Sequence, residues 1–202
     1  MEILNDDTSI WQSFKAGDKD SFKLIYFRYY SNLYEYGMRI TGDKELVKDT
    51  IHDLFVKLWK NKLNLGNVTA IRAYLLVALR SALYNSLQKS SRKPVSELNE
   101  NSSFEMVFSV ESDYIKKETT SVQNKRLMDA LGLLTARQKE VIYLRYLQEL
   151  DYAEIAVIMD ITPKAVYKLT ARGLETLRQI LNISDTLLLA LLALLSGRIF
   201  LY

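Results

Sequence analysis

An all-α protein of two small helical domains is what this sequence predicts, and three observations carry the prediction. Apolar residues recur at three- and four-residue spacing through most of the chain, the period of a helix with one buried face. Only seven Gly and two Pro interrupt 202 residues, 49% of them apolar, so strand and hairpin signals are scarce. Between Ser90 and about Ser121 the periodicity gives way to Ser, Asn and Glu around Pro94, which divides the chain in two. The length suits one large domain or two small ones, with enough apolar residues to bury a core.

The first periodic stretch runs over residues 9–62, through Ile10, Trp11 and Phe14, then Phe22, Ile25, Tyr26, Tyr29 and Leu33, then Leu46, Ile51, Leu54, Phe55, Leu58 and Trp59. Its breaks fall at AGDKD (16–20) and TGDKE (41–45), where a Gly can end one helix and an Asp can cap the next. One helix should therefore start near Asp43 and run to about Asn61. LNLGNVT (63–69) is too polar and too rich in Gly and Asn for a helix. Periodicity resumes at Ile71, Leu75, Ala78, Leu79, Ala82 and Leu83 as a long helix ending in QKSSRKP (88–94).

These helices make a first domain at residues 9–92. Residues 93–122 read as a flexible acidic linker with room for a short helix. Periodicity returns at Leu127, Leu131 and Leu134, then Val141, Ile142, Leu144 and Leu147, and ends with Leu174, Leu177, Ile180 and Leu181. That is a second domain at residues 123–182, followed by an apolar tail at 183–202.

The composition argues against several function classes. With no Cys there are no disulfides and no thiolate metal sites. His52 is the only histidine, and neither a Gly-rich phosphate loop nor a carboxylate pair in a catalytic motif is visible, so no enzyme, metal or cofactor is expected. MEILNDDTSIWQ lacks a basic region followed by an apolar run, so no signal peptide is expected and a cytoplasmic location fits.

Charge is the strongest compositional anomaly. The net charge is only +3, yet residues 54–96 carry Lys57, Lys60, Lys62, Arg72, Arg80, Lys89, Arg92 and Lys93 without one carboxylate. Such a surface suits a polyanion, whereas the plainer reading is a solvated basic face.

Within the second domain, YAEIAVIMDITPKAVYKL (152–169) has the parts of a helix-turn-helix. Ala156 is small where two helices must approach closely. Ile155, Met159, Ile161, Val166 and Leu169 occupy inward positions. Asp160 stands where the turn needs a positive φ, a position normally given to Gly. Thr162 can cap the second helix and Pro163 suits its first turn. Lys164, Ala165, Tyr167, Lys168, Ala171 and Arg172 are left facing outward, with no acid between Asp160 and Glu175. A helix in a major groove needs base-edge donors near its N-terminus and cations for flanking phosphates. The predicted DNA contacts are Thr162, Lys164, Ala165, Tyr167, Lys168 and Arg172.

At these residues the sequence resembles a known family. LTARQKEVIYLRYLQELDYAEIAVIMDITPKAVYKLTARGLETLR (134–178) is similar to the promoter-binding C-terminal domain of extracytoplasmic-function (group 4) sigma factors of bacterial RNA polymerase. FKAGDKDSFKLIYFRYY (14–30), DTIHDLFVKLWKN (49–61) and AYLLVALRSALYNSLQKSSR (73–92) resemble the other conserved domain, in the same order and with a spacer between. The resemblance is to the compact subfamily, which implies that the extra N-terminal and middle regions of primary sigma factors are not expected.

The resemblance implies a division of labour. Residues 9–92 would be the region 2 domain, which binds core polymerase and recognises and melts the minus-ten element. Residues 123–182 would be the region 4 domain, which binds the minus-thirty-five element. Asp49, His52, Asp53, Phe55 and Leu58 match the segment that docks on the polymerase clamp. The loop Asn64–Ala70 matches the one that captures a flipped nontemplate base, and Ile71–Lys89 matches the helix that enters the melting duplex. Asn64, Asn67, Arg72, Tyr74, Arg80, Ser81 and Tyr84 are the minus-ten candidates, with Tyr74 and Tyr84 offering stacking faces. Implied partners are core RNA polymerase, promoter DNA and an anti-sigma factor. Ser81 departs from an Asn common at its position, and His52-Asp53 from a common Gln-Glu pair.

A stand-alone helix-turn-helix regulator is the rival, and it would leave residues 14–92 unexplained. The tail DTLLLALLALLSGRIFLY (185–202) has an apolar block too short to span a bilayer. It is expected to pack on its own domain or a protein partner ahead of a membrane surface.

Overall fold

The computed structural model describes residues 7–91, 104–106 and 118–195, which form helices and turns with no strand among them. The chain divides into two compact units, Met1–Leu98 and Asn99–Tyr202. The first contains α1 (Asp7–Lys15), α2 (Lys19–Thr41), α3 (Lys44–Asn61), a 3₁₀ turn (Lys62–Asn64) and α4 (Ile71–Ser91).

The caps sit where the Gly-Asp breaks predict them. Asp18 is extended and its carboxylate accepts the Asp20 and Ser21 N–H groups and the Ser21 hydroxyl. These bonds favour the anion and lower the Asp18 pKa. Gly42 ends α2 at φ 70°, its N–H donating to the Met38 carbonyl, and Asp43 caps α3 through the Glu45 and Leu46 N–H groups.

α2, α3 and α4 pack on one another around Ile25, Leu33, Tyr36, Ile40, Val47, Ile51, Leu75, Leu76, Leu79 and Leu83. At Gly37 a Cβ would lie 2.8 Å from Val47 Cγ1, so no side chain fits between α2 and α3 there. α1 packs on α2 and on the 3₁₀ turn, burying Trp11 and Phe14 completely. Phe14, Phe22, Phe55, Trp59 and Tyr26 join in a chain of ring contacts with centroids 4.8–6.4 Å apart.

The second unit holds α5 (Glu118–Gly132), α6 (Ala136–Ile142), a wide π-type turn (Tyr143–Leu147), α7 (Tyr152–Met159), α8 (Pro163–Leu181) and α9 (Asp185–Leu195). Two reciprocal capping boxes, Thr135 with Gln138 and Asp151 with Glu154, start α6 and α7.

Two boundaries differ from the sequence reading. Residues 92–103 and 107–117, most of the expected linker 93–122, lie outside the described residues. Within that span, however, Phe104 is fully buried with its ring 5.7 Å from that of Tyr143, and Glu105 pairs with Lys139 Nζ at 3.3 Å. α5 also begins at Glu118, before residue 123.

α9 follows α8 after a 103° bend at Asn182, which is left-handed at φ 53°. Leu188 and Leu192 are buried against α8 and the wide turn, so the described part of the tail completes this unit's core, as its all-round apolar character demands. Residues 196–202 lie outside the described residues. Among the described residues no single helix is long and apolar enough to cross a membrane.

Candidate nucleic-acid interface

The second unit builds the predicted helix-turn-helix. Asp151 starts α7 by accepting the Glu154 N–H at 2.7 Å. Asp160 ends it at φ 53°, ψ 52°, and the Ile161 N–H closes the turn on the Ala156 carbonyl at 3.0 Å. Ile155, Ala156, Met159 and Val166 are buried between the helices, with Ile161 and Leu169 half-buried beside them. Thr162 caps α8 through the Ala165 N–H at 3.2 Å, and Pro163 follows in the first turn.

On α8 the inward line is Val166, Thr170, Gly173, Leu177 and Leu181. The helical period therefore turns Lys164, Tyr167, Lys168, Ala171 and Arg172 to solvent, with Thr162 exposed and Ala165 half-buried at the same end. Tyr167 is 55% exposed, yet its ring stacks on that of Tyr152 at 3.9 Å and 24°. The Arg145 guanidinium lies 4.9 Å from the Tyr152 ring and donates to the Leu150 carbonyl at 2.9 Å. Tyr152 and Arg145 were missed by the sequence reading. An aromatic at the start of α7 and an outward aromatic one turn into α8 are the only signals that could have marked them.

In the first unit, Asp49, His52 and Asp53 are exposed along one face of α3, at the i, i+3, i+4 spacing that makes helix neighbours. Phe55 and Leu58, expected beside them as an apolar docking centre, are 3% and 4% exposed. They belong to the core: Phe55 sits edge-on to Phe22 and Tyr26, and α3 is covered by both α2 and α4.

The minus-ten candidates fall into three settings. Asn64 is exposed on the 3₁₀ turn, while Asn67 Oδ1 accepts from Gln12 Nε2 at 3.0 Å and Lys15 Nζ at 3.4 Å. Tyr74 and Ser81 line a groove of about 460 Å³ between α3 and α4, together with Asp53, Lys57, Asn61 and Asn85. Tyr74 is half-buried, its ring edge-on to Trp11 at 5.2 Å, and burial raises its pKa. Arg72 is half-buried at the start of α4.

Arg80 and Tyr84 form the third setting. Arg80 is 9% exposed and its guanidinium lies 4.6 Å from the Tyr84 ring, so neither side chain is an open stacking or phosphate-binding group. The cause is α4's wide inward arc through Leu75, Leu76, Leu79 and Leu83, which draws in the position next to Leu79. Among the described residues no group of three or more His, Asp or Glu could hold a metal ion.

The chain is similar to known proteins over most of its length. Residues 124–177 match the family described as Sigma-70, region 4. RNA polymerase sigma factor YlaC of Bacillus subtilis is 26% identical over 142 residues, spanning 70% of this chain and 80% of that protein. ECF RNA polymerase sigma factor BldN of Streptomyces coelicolor is 28% identical over 173 residues, 83% of this chain and 62% of that protein.

Among solved structures, the sigma factor RpoE bound to the anti-sigma factor NepR from Bartonella quintana superimposes with a TM-score of 0.60. The identity is 18%, with 83% of this chain and all of that chain covered. CnrH, bound to the cytosolic domain of CnrY, gives 0.57 at 18% identity, covering 88% of this chain and 97% of that one. At that identity the structures speak for the fold, while the similarity to the curated relatives extends well beyond the helix-turn-helix. A region 4 match over residues 124–177, which include an exposed cationic helix face, thus lies within a chain that is similar to RNA polymerase sigma factors over most of its length.

Proposed function

We propose that this protein is an RNA polymerase sigma factor of the extracytoplasmic-function type, a group 4 member acting in the cytoplasm. In this reading residues 9–92 serve as region 2, 123–182 as region 4, 93–122 as the connection and 183–202 as an appended segment. The protein performs no chemistry of its own. It binds core RNA polymerase through Asp49, His52 and Asp53 on α3, and holds upstream duplex through Thr162, Lys164, Ala165, Tyr167, Lys168 and Arg172. Asn64, Arg72, Tyr74 and Ser81 meet the minus-ten element as it opens, and Asn67 shapes the loop beside them.

The observation that most supports this reading is the outward face of α8. A capped N-terminus, an exposed ring and three exposed cations follow one another with no carboxylate before Glu175. A protein inhibitor is the expected regulator, because RpoE and CnrH were each solved with a bound protein.

Run-off transcription tests the reading. The protein should support initiation only with core enzyme and should not shift promoter DNA alone. Lys168→Ala and Arg172→Ala should each weaken the holoenzyme–promoter complex and flatten its salt dependence by about one unit, as loss of one phosphate contact does. Unchanged slopes would remove these residues from the footprint.

A further inference from the structure

The segment joining α3 to α4 is fastened at several points, and α1 supplies most of the fastenings. Trp11 Nε1 donates to the Gly66 carbonyl at 2.9 Å, from an indole with no solvent exposure. Gln12 and Lys15, one and four residues further along α1, both donate to Asn67 Oδ1. At the far end Asp7 Oδ2 accepts the Ile71 N–H at 3.1 Å, capping the first turn of α4, while Asp7 Oδ1 accepts the Tyr29 hydroxyl at 2.7 Å. Leu63 and Asn64 stand apart from this pattern. Both are exposed, Leu63 at 78%, just before the fastened stretch.

We propose that α1 is the positioning element for strand capture, with Trp11, Gln12 and Lys15 holding the loop after α3 in its binding conformation so that Leu63 and Asn64 are presented to the opening strand. The proposal rests on the reading of this loop as the minus-ten reader. The physical reason is preorganisation. A loop with Gly66, Asn64 and Asn67 has wide backbone freedom, and fixing it beforehand removes an ordering cost from the moment of melting. The bonds from α1 spend Asn67's acceptor on the scaffold, so Asn67 acts through the loop's shape, whereas the residues before it meet DNA.

The test compares run-off transcription by holoenzyme from a duplex promoter and from the same promoter carrying a noncomplementary bubble over the minus-ten element. Trp11→Phe keeps an aromatic ring and removes the Nε1–H donor. The double variant Gln12→Ala, Lys15→Ala removes the Asn67 anchors through an exposed and a half-buried side chain, neither of them part of the buried core. Each variant should lose about two- to tenfold on duplex per hydrogen bond removed, and less than about twofold on the bubble template. Equal losses on both templates, or none on either, would overturn the inference provided Leu63→Ala and Asn64→Ala still lower the duplex-to-bubble ratio. If Leu63→Ala and Asn64→Ala leave that ratio unchanged, the loop is not the minus-ten reader, and both the reading and the inference built on it fall.

Discussion

The Tyr167 ring rests on Tyr152 at 3.9 Å and 24°, so a side chain expected to touch DNA is held in place by one from the preceding helix. A stacked pair contributes roughly 0.5–1.5 kcal/mol beyond its buried area. Tyr152→Ala should therefore free Tyr167 and lower promoter affinity by about two- to tenfold. Lys164, Lys168 and Arg172 are untouched, so the slope of log affinity against log salt should stay constant. A titration of holoenzyme on promoter DNA at several salt concentrations checks this, and a changed slope would mean that phosphate contacts had been lost instead.

The exposed and buried residues of α3 should separate cleanly by mutation. Asp49→Lys with Asp53→Lys should impair assembly with core polymerase while leaving thermal unfolding nearly unchanged, because both carboxylates face solvent. Phe55→Ala should destabilise the first unit by about 3–5 kcal/mol through the cavity it leaves among Phe22 and Tyr26. Size-exclusion co-elution and thermal melts distinguish the two effects, and normal assembly by the double Asp variant would refute the docking face.

Asp160 is left-handed at φ 53°, where a side chain carries a conformational cost that glycine avoids. Asp160→Gly should be neutral or stabilise the second unit by up to about 1 kcal/mol. Chemical denaturation would show this as an unchanged or higher midpoint, and a lower one would mean that the aspartate side chain stabilises the turn.

Burial, and then the hydrogen bond to Asp7, push the Tyr29 phenol up to about 12. The folded state thus favours the protonated phenol. Its contribution is complete below the ordinary tyrosine value near 10 and is lost as pH rises from there toward 12. Tyr29→Phe should unfold less steeply with pH over that window. Equal slopes for the two proteins in alkaline melts would count against the buried phenol.

Much of this architecture is legible in the sequence because caps and turns are local. Asp18, Gly42, Asp43, Asp160 and Thr162 each act on backbone within a few residues, so residue type and spacing suffice to find them. Burial within an amphipathic helix is less legible. α3 is covered by two neighbours, so the apolar periodicity that holds Phe55 and Leu58 is spent on the core and leaves them no free edge for docking beside Asp49 and Asp53. Arg80 is similar, a cation drawn inward beside Leu79. Phe104 is a lone aromatic in a polar stretch, and only tertiary contact with Tyr143 reveals its place. The Tyr152–Tyr167 stack likewise depends on how two helices meet across the turn.

The bond from Asp7 to Ile71 has a consequence for how the molecule comes into being. Its two ends are 64 positions apart, and domains form during synthesis as their partners leave the ribosome. The first helix can coil early and Asp7 Oδ1 can accept the Tyr29 hydroxyl, but Oδ2 has no Ile71 N–H donor until the start of α4 has emerged. Closure of so distant a contact belongs to the slow, late part of folding. The N-terminal turn is therefore locked only when the helix beyond the loop has arrived, so a nascent chain halted before Ile71 would leave the Trp11 ring without its edge-on partner Tyr74.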